Sequence, residues 1–220
     1  MAKIKKKATV FENPFLETLI KSSPGITAFT YLSIISAEFF INWYYGFIQS
    51  WQAGILLYLL GLFFWSFSEY FLHRYLFHWV EESPIQKKFH HLVHGFHHEH
   101  PLDEDHLFMP PIAGYLLGLL FTLLFSIVLR ISTFVFTAGF ITGYMIYAGI
   151  HYSTHKFKAP KHLKALWRHH HLHHYRYPDK AFGVSSRLWD YVFMTMPPKP
   201  AKKQKQEVDA LAKVATETID

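Results

Sequence analysis

From residue 112 to residue 150 the chain carries a single charge, Arg130. A soluble bundle helix would show a polar face at helical spacing, and this stretch shows almost none. Split at Arg130 it gives apolar blocks at 112–129 and 131–150, and two more lie upstream at 26–49 and 51–72. At 1.5 Å per residue each block reaches roughly 27–36 Å, enough to cross a hydrocarbon core of about 30 Å. The block at 26–49 is the weakest of the four because it holds Glu38 and Asn42, whereas that at 51–72 has only Glu69, near its end. The reading is an all-α integral membrane protein with four transmembrane helices in two hairpins; a soluble bundle of buried helices and a re-entrant first block are the alternatives. With no convincing small-residue cleavage site, the first block does not read as a signal peptide.

Charge orients the spans. With a cytoplasmic amino terminus, residues 1–25, 73–111 and 151–220 share one side and hold 21 of the 22 Lys and Arg, with Arg130 alone opposite. That distribution satisfies the positive-inside rule. The net charge of +6 is then explained by topology and contact with anionic headgroups, not by nucleic acid. The expected layout is a cytosolic segment at 1–25, a membrane-embedded domain at 26–195 and a basic, flexible tail at 196–220. Both termini are cytoplasmic in this layout. Lys202, Lys203 and Lys205 in the tail read as solvated or membrane-facing charge.

All seventeen histidines fall on that same side, nine between 73 and 106 and eight between 151 and 174. The chain has no cysteine, so a transition-metal site must be built from imidazole or carboxylate. On a helix, H-x-x-H-H turns three rings toward one point, and His94, His97, His98 and His170, His173, His174 both have that spacing. H-x-x-x-H does the same for His151 and His155. His73 and His78, five apart, are expected to bracket a site or serve two different ions. These ten imidazoles exceed the needs of one ion and suit two, at about five each. The remaining histidines (His90, His91, His100, His106, His162, His169, His171) read mostly as outer hydrogen-bond partners or headgroup contacts. The choice among 90, 91 and 94, and among 169, 170 and 171, stays open. Spacing also leaves the metal open, since zinc, iron, copper and nickel all accept imidazole. Ten neutral ligands leave cationic charge uncompensated, which suits a site for oxide, hydroxide or reduced oxygen within reach of an acyl chain.

The stretches "EYFLHRYLFH", "HGFHHEHPLDEDHLFMPP", "HYSTHKF" and "HHHLHHY", the last followed by "FGVSSRLWDYVF", resemble the fatty acid hydroxylase family, most of all its fatty acid 2-hydroxylase branch. "NPFLE" at 13–17 extends the likeness, which covers about residues 11–195. The resemblance implies a four-helix membrane domain with a cytosolic helical cap that holds two metal ions, di-iron when active and sometimes recovered with zinc. It implies hydroxylation of a long-chain fatty acyl group at carbon 2, free or in a sphingolipid, with dioxygen and two external electrons. The ligands carried over are His73, His78, His94, His97, His98, His151, His155, His170, His173 and His174. Only about 25 polar residues precede the first block, so a separate electron-transfer protein is expected. Relatives commonly have an Asp after the Tyr preceding the third motif, where this chain has Ala148 after Tyr147. Glu69, Asp103, Asp105 and Asp190 are candidates for orienting ring N–H groups or, taken singly, solvated surface charges. The competing functions are a sterol or carotenoid hydroxylase or desaturase, and a non-enzymatic metal-binding membrane protein. A transporter should carry ionisable groups deep in its spans, and only Glu38 qualifies.

Overall fold

A computed structural model describes residues 9–78 and 83–198, and every regular element among them is helical. Most of the tail expected at 196–220, and Lys3, Lys5, Lys6 and Lys7, lie outside the described residues. The short α1 (Pro14–Leu19) precedes α2 (Pro24–Tyr45) and α3 (Trp51–Phe71), which widens into a π-helical turn at Leu72–Phe77. After α4 (Pro84–His90) a second π turn, His91–Gly95, leads into α5 (Phe96–Glu99). Then come α6 (Pro111–Leu129), α7 (Thr133–Lys156), α8 (Lys164–Tyr175) and α9 (Leu188–Val192).

Among the described residues three helical stretches are long and apolar enough to cross a membrane: Pro24–Tyr45, Trp51–Phe77 and Pro111–Lys156. The last is α6 and α7 folded back on each other, with Phe121 against Phe140 at 4.9 Å and Phe125 against Phe136 at 5.0 Å between ring centroids. α2 starts on a Ser23 cap, whose hydroxyl accepts the Ile26 N–H, with Pro24 in the first turn where no donor is needed. α7 is the axis, burying Val135, Ala138, Phe140, Ile141 and Tyr144 among its neighbours. The outer helices do the reverse: Phe29 is 72 % and Val128 80 % exposed. An apolar exterior around a sealed helical backbone suits a lipid environment. Glu38, which weakens the first block on paper, is buried and accepts the Thr122 hydroxyl of α6 at 2.5 Å.

Direction matters most for the site. α3 and α7 run parallel, Tyr58 lying beside Gly139 and Trp65 beside Gly143. α2 and α6 also run parallel to each other, pairing Ser33 with Tyr115 and Glu38 with Thr122. The ends of α3 and α7 and the starts of α2 and α6 therefore share one end of the bundle. α1 docks at that end too, through Ser22 N–H to the Asp105 carbonyl at 2.9 Å and His106 to Glu17 at 2.8 Å.

The α3–α7 contact depends on missing side chains. A Cβ on Gly139 would stand 2.0 Å from the Tyr58 carbonyl oxygen, and one on Gly61 2.0 Å from that of Phe136. Backbones this close are the small-residue packing typical of helices in lipid. Gly139→Ala should therefore cost about 1–3 kcal/mol of stability by overpacking. Gly149→Ala, on the same helix with nothing within 4 Å of its added Cβ, should be neutral or slightly stabilising. Thermal unfolding in detergent checks both, and equal midpoints for the two variants would contradict the close packing.

Candidate metal centre

Ten imidazoles converge at the end of the bundle where α3 and α7 stop. They form two groups of five, His73, His78, His94, His98, His173 and His97, His151, His155, His170, His174, and within each group the nitrogens lie within 4.8 Å of one another. These are the ten singled out by spacing and by resemblance, but they sort between the groups differently from the spacing argument. His73 and His78, expected to bracket a site or serve separate ions, sit together with Nε2 atoms 3.2 Å apart. The cause is the π turn: the His78 N–H bonds to the His73 carbonyl at 3.1 Å, and i→i+5 bonding brings residue 78 back over residue 73.

The two triplets do not point at one place either. His94 and His98 face the first group while His97 faces the second; His173 faces the first while His170 and His174 face the second. Consecutive residues on a helix diverge by about 100°, so positions i+3 and i+4 fall on opposite sides of position i. α5 and α8 thus each supply both groups, and the His98 and His174 rings stack across the boundary at 4.2 Å between centroids. The H-x-x-x-H pair His151 and His155 stays together in the second group.

In the first group the nearest Nε2 pairs are His94–His98 at 2.9 Å and His73–His94 and His78–His173 at 3.0 Å. In the second they are His155–His170 at 2.8 Å, His97–His151 at 2.9 Å and His97–His174 at 3.2 Å. The Nδ1 of His73 lies 2.5 Å from the Phe182 carbonyl and that of His173 2.7 Å from the Lys180 carbonyl. A carbonyl only accepts, so both rings carry their proton on Nδ1 and turn a bare Nε2 lone pair inward. Burial and the neighbouring rings hold His94, His97, His170 and His174 well below the usual imidazole range, so these rings stay neutral and able to ligate. The same causes take His98 down to about 3, and burial takes His173 to about 4. Lone pairs this close call for a cation between them. An ion about 2.1 Å from two nitrogens at right angles would set them about 3.0 Å apart, which the observed edges match. Each group could hold one metal ion.

The other candidates resolve one by one. His169 donates to Asp190 at 2.9 Å, His90 to the Phe77 carbonyl at 2.5 Å, and His171 to the Thr154 carbonyl at 3.1 Å. His106 lies between Glu17 and Asp103, while His91 is 3.6 Å from Glu99. Glu69 and Asp190 are buried, against the solvated reading, and neither touches one of the ten rings. They grip the backbone at 182–185 instead. Ala148 is buried in the apolar cluster that also holds Trp65, Tyr144 and Ile141.

The sequence matches the family model described as "Fatty acid hydroxylase" over residues 58–195. The chain belongs to the fatty acid hydroxylase family. Its relatives in that family include the dihydroceramide fatty acyl 2-hydroxylase FAH1 of Arabidopsis thaliana, 37% identical over 150 residues that make up 67% of this chain and 63% of the relative. The fatty acid 2-hydroxylase of Mus musculus is 34% identical over 74% of this chain and 45% of its own length. The ceramide very long chain fatty acid hydroxylase SCS7 of Saccharomyces cerevisiae is 34% identical over 92% of this chain and 53% of its own length. The chain thus spans about half to under two thirds of these curated relatives. Among solved structures, "Full length scs7p (only hydroxylase domain visible)" superposes with a TM-score of 0.78 at 32% identity, covering 87% of this chain and 72% of that one. With this hydroxylase fold and its apolar helices, the chain is a membrane protein with two histidine groups able to hold metal.

Two measurements test the centre. The folded chain keeps these rings neutral while the unfolded chain protonates them near pH 6.5, so between pH 6.5 and about 3 the unfolded state binds more protons. Stability therefore falls as pH falls through that window, and metal, which needs neutral imidazole, leaves with it. Metal content and thermal midpoint should both decline from about pH 7 to about 4, and metal kept in full at about pH 3 would rule out histidine ligation. Gly183→Ala should lower metal affinity by about 10–100-fold, because the added Cβ would meet the Ser186 carbonyl at 2.0 Å and push the segment that carries the Phe182 carbonyl. Equilibrium dialysis against zinc reads that loss, and unchanged affinity would mean the segment does not hold the ligand.

Proposed function

We propose that this chain is a membrane oxygenase that hydroxylates long-chain fatty acyl groups at carbon 2, free or within a sphingolipid. The observation that carries the reading is the convergence of ten imidazoles into two five-membered groups at the end of apolar helices, in a family whose matched relatives are named for 2-hydroxylation and ceramide hydroxylation. In this reading α2, α3, α6 and α7 each cross the bilayer, residues 26–195 form the embedded domain, and the elements bearing the histidines form a cytosolic cap. Both termini are cytoplasmic, which keeps the basic residues on one side.

The ligands are the two groups as the fold sorts them, and the ions are iron in the active protein. Donors on a tetrahedral ion would stand about 3.4 Å apart, so edges of 2.8 to 3.2 Å favour more than four donors per ion, which iron accepts more readily than zinc. When bound, the two ions supply the redox chemistry by which dioxygen and two electrons give one oxygen atom to a C–H bond and one to water. The chain's own residues do the rest. Burial keeps the rings neutral, and the Phe182 and Lys180 carbonyls fix which nitrogen of His73 and His173 carries the proton. The ends of α3 and α7 set His73 and His151 at the limit of the apolar surface, where the carboxyl end of an acyl chain reaches them while its tail stays in lipid. Electrons come from a separate donor protein on the cytosolic face.

Lipid mass spectrometry of a host expressing the chain should find acyl chains one oxygen atom heavier, with the hydroxyl at carbon 2. A product lighter by two hydrogens would mean desaturation instead. His97→Ala should abolish the product while the protein still inserts. Unmodified lipids, with iron, oxygen and a competent reductase supplied, would refute the activity.

A further inference from the structure

The two histidine groups differ in what holds the outer side of their rings. In the first, the Phe182 and Lys180 carbonyls accept the Nδ1–H of His73 and His173. In the second, Nδ1 of His97, His170 and His174 is buried without a hydrogen-bond partner among the described residues. The segment that presents the two carbonyls is itself clamped by two buried carboxylates. Asp190, fully buried, accepts the N–H of Phe182 at 3.0 Å and of Gly183 at 2.8 Å, together with the Thr195 hydroxyl at 2.7 Å. Glu69 accepts the N–H of Val184 at 2.7 Å and of Ser185 at 2.8 Å, and also the Ser185 hydroxyl. The Ala181 N–H closes the segment onto the Thr195 carbonyl at 2.9 Å. An unbroken chain of hydrogen bonds thus runs from two carboxylates through one stretch of backbone to two imidazoles of the first group.

We propose that Asp190 and Glu69 are positioning residues for the first group alone, so that the two metal sites are unequal: His73, His78, His94, His98 and His173 hold their ion more tightly than the second group holds its own. A ring whose outer N–H is already engaged has its tautomer and orientation set before the ion arrives, and the hydrogen bond raises the basicity of the inner nitrogen. In the second group His97, His170 and His174 have no such brace among the described residues. Outer partners of this kind change metal affinity by about 10–100-fold. The inference rests on the reading that each group holds an ion, but it does not depend on which reaction the centre performs.

Metal release from the full chain in detergent, loaded with zinc alone and challenged with excess chelator, tests it. Zinc should leave in two phases of equal amplitude whose rates differ by about 10–100-fold. His155→Ala, in the second group, should remove the fast phase, and His78→Ala, in the first, the slow one. Asp190→Asn and Ser185→Ala should each speed the slow phase, Asp190→Asn by about 10-fold or more, and Ser185→Ala, which spares the Asp190–His169 contact beside His170, should leave the fast phase unchanged. Ser185→Ala removes one hydroxyl from the clamp at a half-buried position and leaves the Asp190–His169 contact to α8 intact, so it serves even if Asp190→Asn does not fold. Rescue by Ser185→Thr, which restores the hydroxyl, separates positioning from general loosening. A single release phase in the unaltered chain, loss of the slow phase in His155→Ala, or equal acceleration of both phases by Ser185→Ala would each overturn the inference. A chain that binds no zinc would instead remove the two-ion reading beneath it.

Discussion

Imidazole nitrogens about 3 Å apart, bare on His73 and His173, repel wherever no proton or cation lies between them, and the end of this bundle where α3 and α7 stop is built around that repulsion. Burial keeps added protons from relieving it, because charging a ring deep in the cluster is costly. A metal ion in each group would relieve it and would gain five donors already gathered. Metal binding there would therefore favour the folded arrangement of the helices that carry the rings, as in other sites whose ligands come from distant segments.

The bundle exists in this form to bring those donors together. α3 and α7 run side by side in the same direction, drawn close by glycines, so that the apolar stretches end at one level with His73 on one helix and His151 on the other. α5 and α8 then cross that end, and because each carries adjacent histidines facing opposite ways, each contributes to both groups. The π turns act in the same sense: by adding a residue to the turn they rotate the following histidines into line without breaking the helix. Polar groups buried for this purpose are offset by the clamp at 182–185, where two carboxylates meet backbone N–H groups.

Much of this was legible in the sequence. Hydrophobic blocks of span length declare helices whatever their neighbours, because lipid leaves the backbone no other partner. The pair His151 and His155 was legible because one turn of ideal helix places them together. The placement of His73 with His78 was not, since nothing in "HRYLFH" distinguishes a π turn from an α turn. "HGFHH" makes His97 and His98 diverge by about 100° but could not say which group each ring would join, because that depends on which helix approaches. Glu69 and Asp190 stood with Asp103 and Asp105 as candidates for orienting rings, indistinguishable from solvated charge until the fold buried them, and Gly183 gave no signal beyond its position before "VSS".

The sequence by itself determined that this chain is helical, apolar in four blocks, free of thiol ligands and supplied with histidines at helical spacing, because these follow from composition and local periodicity. Only the tertiary structure decided which five rings share a centre, which of them are braced, and which carboxylates do the bracing. Those outcomes depend on distances between segments more than a hundred residues apart, such as Glu69 and Val184, and no local rule carries that information.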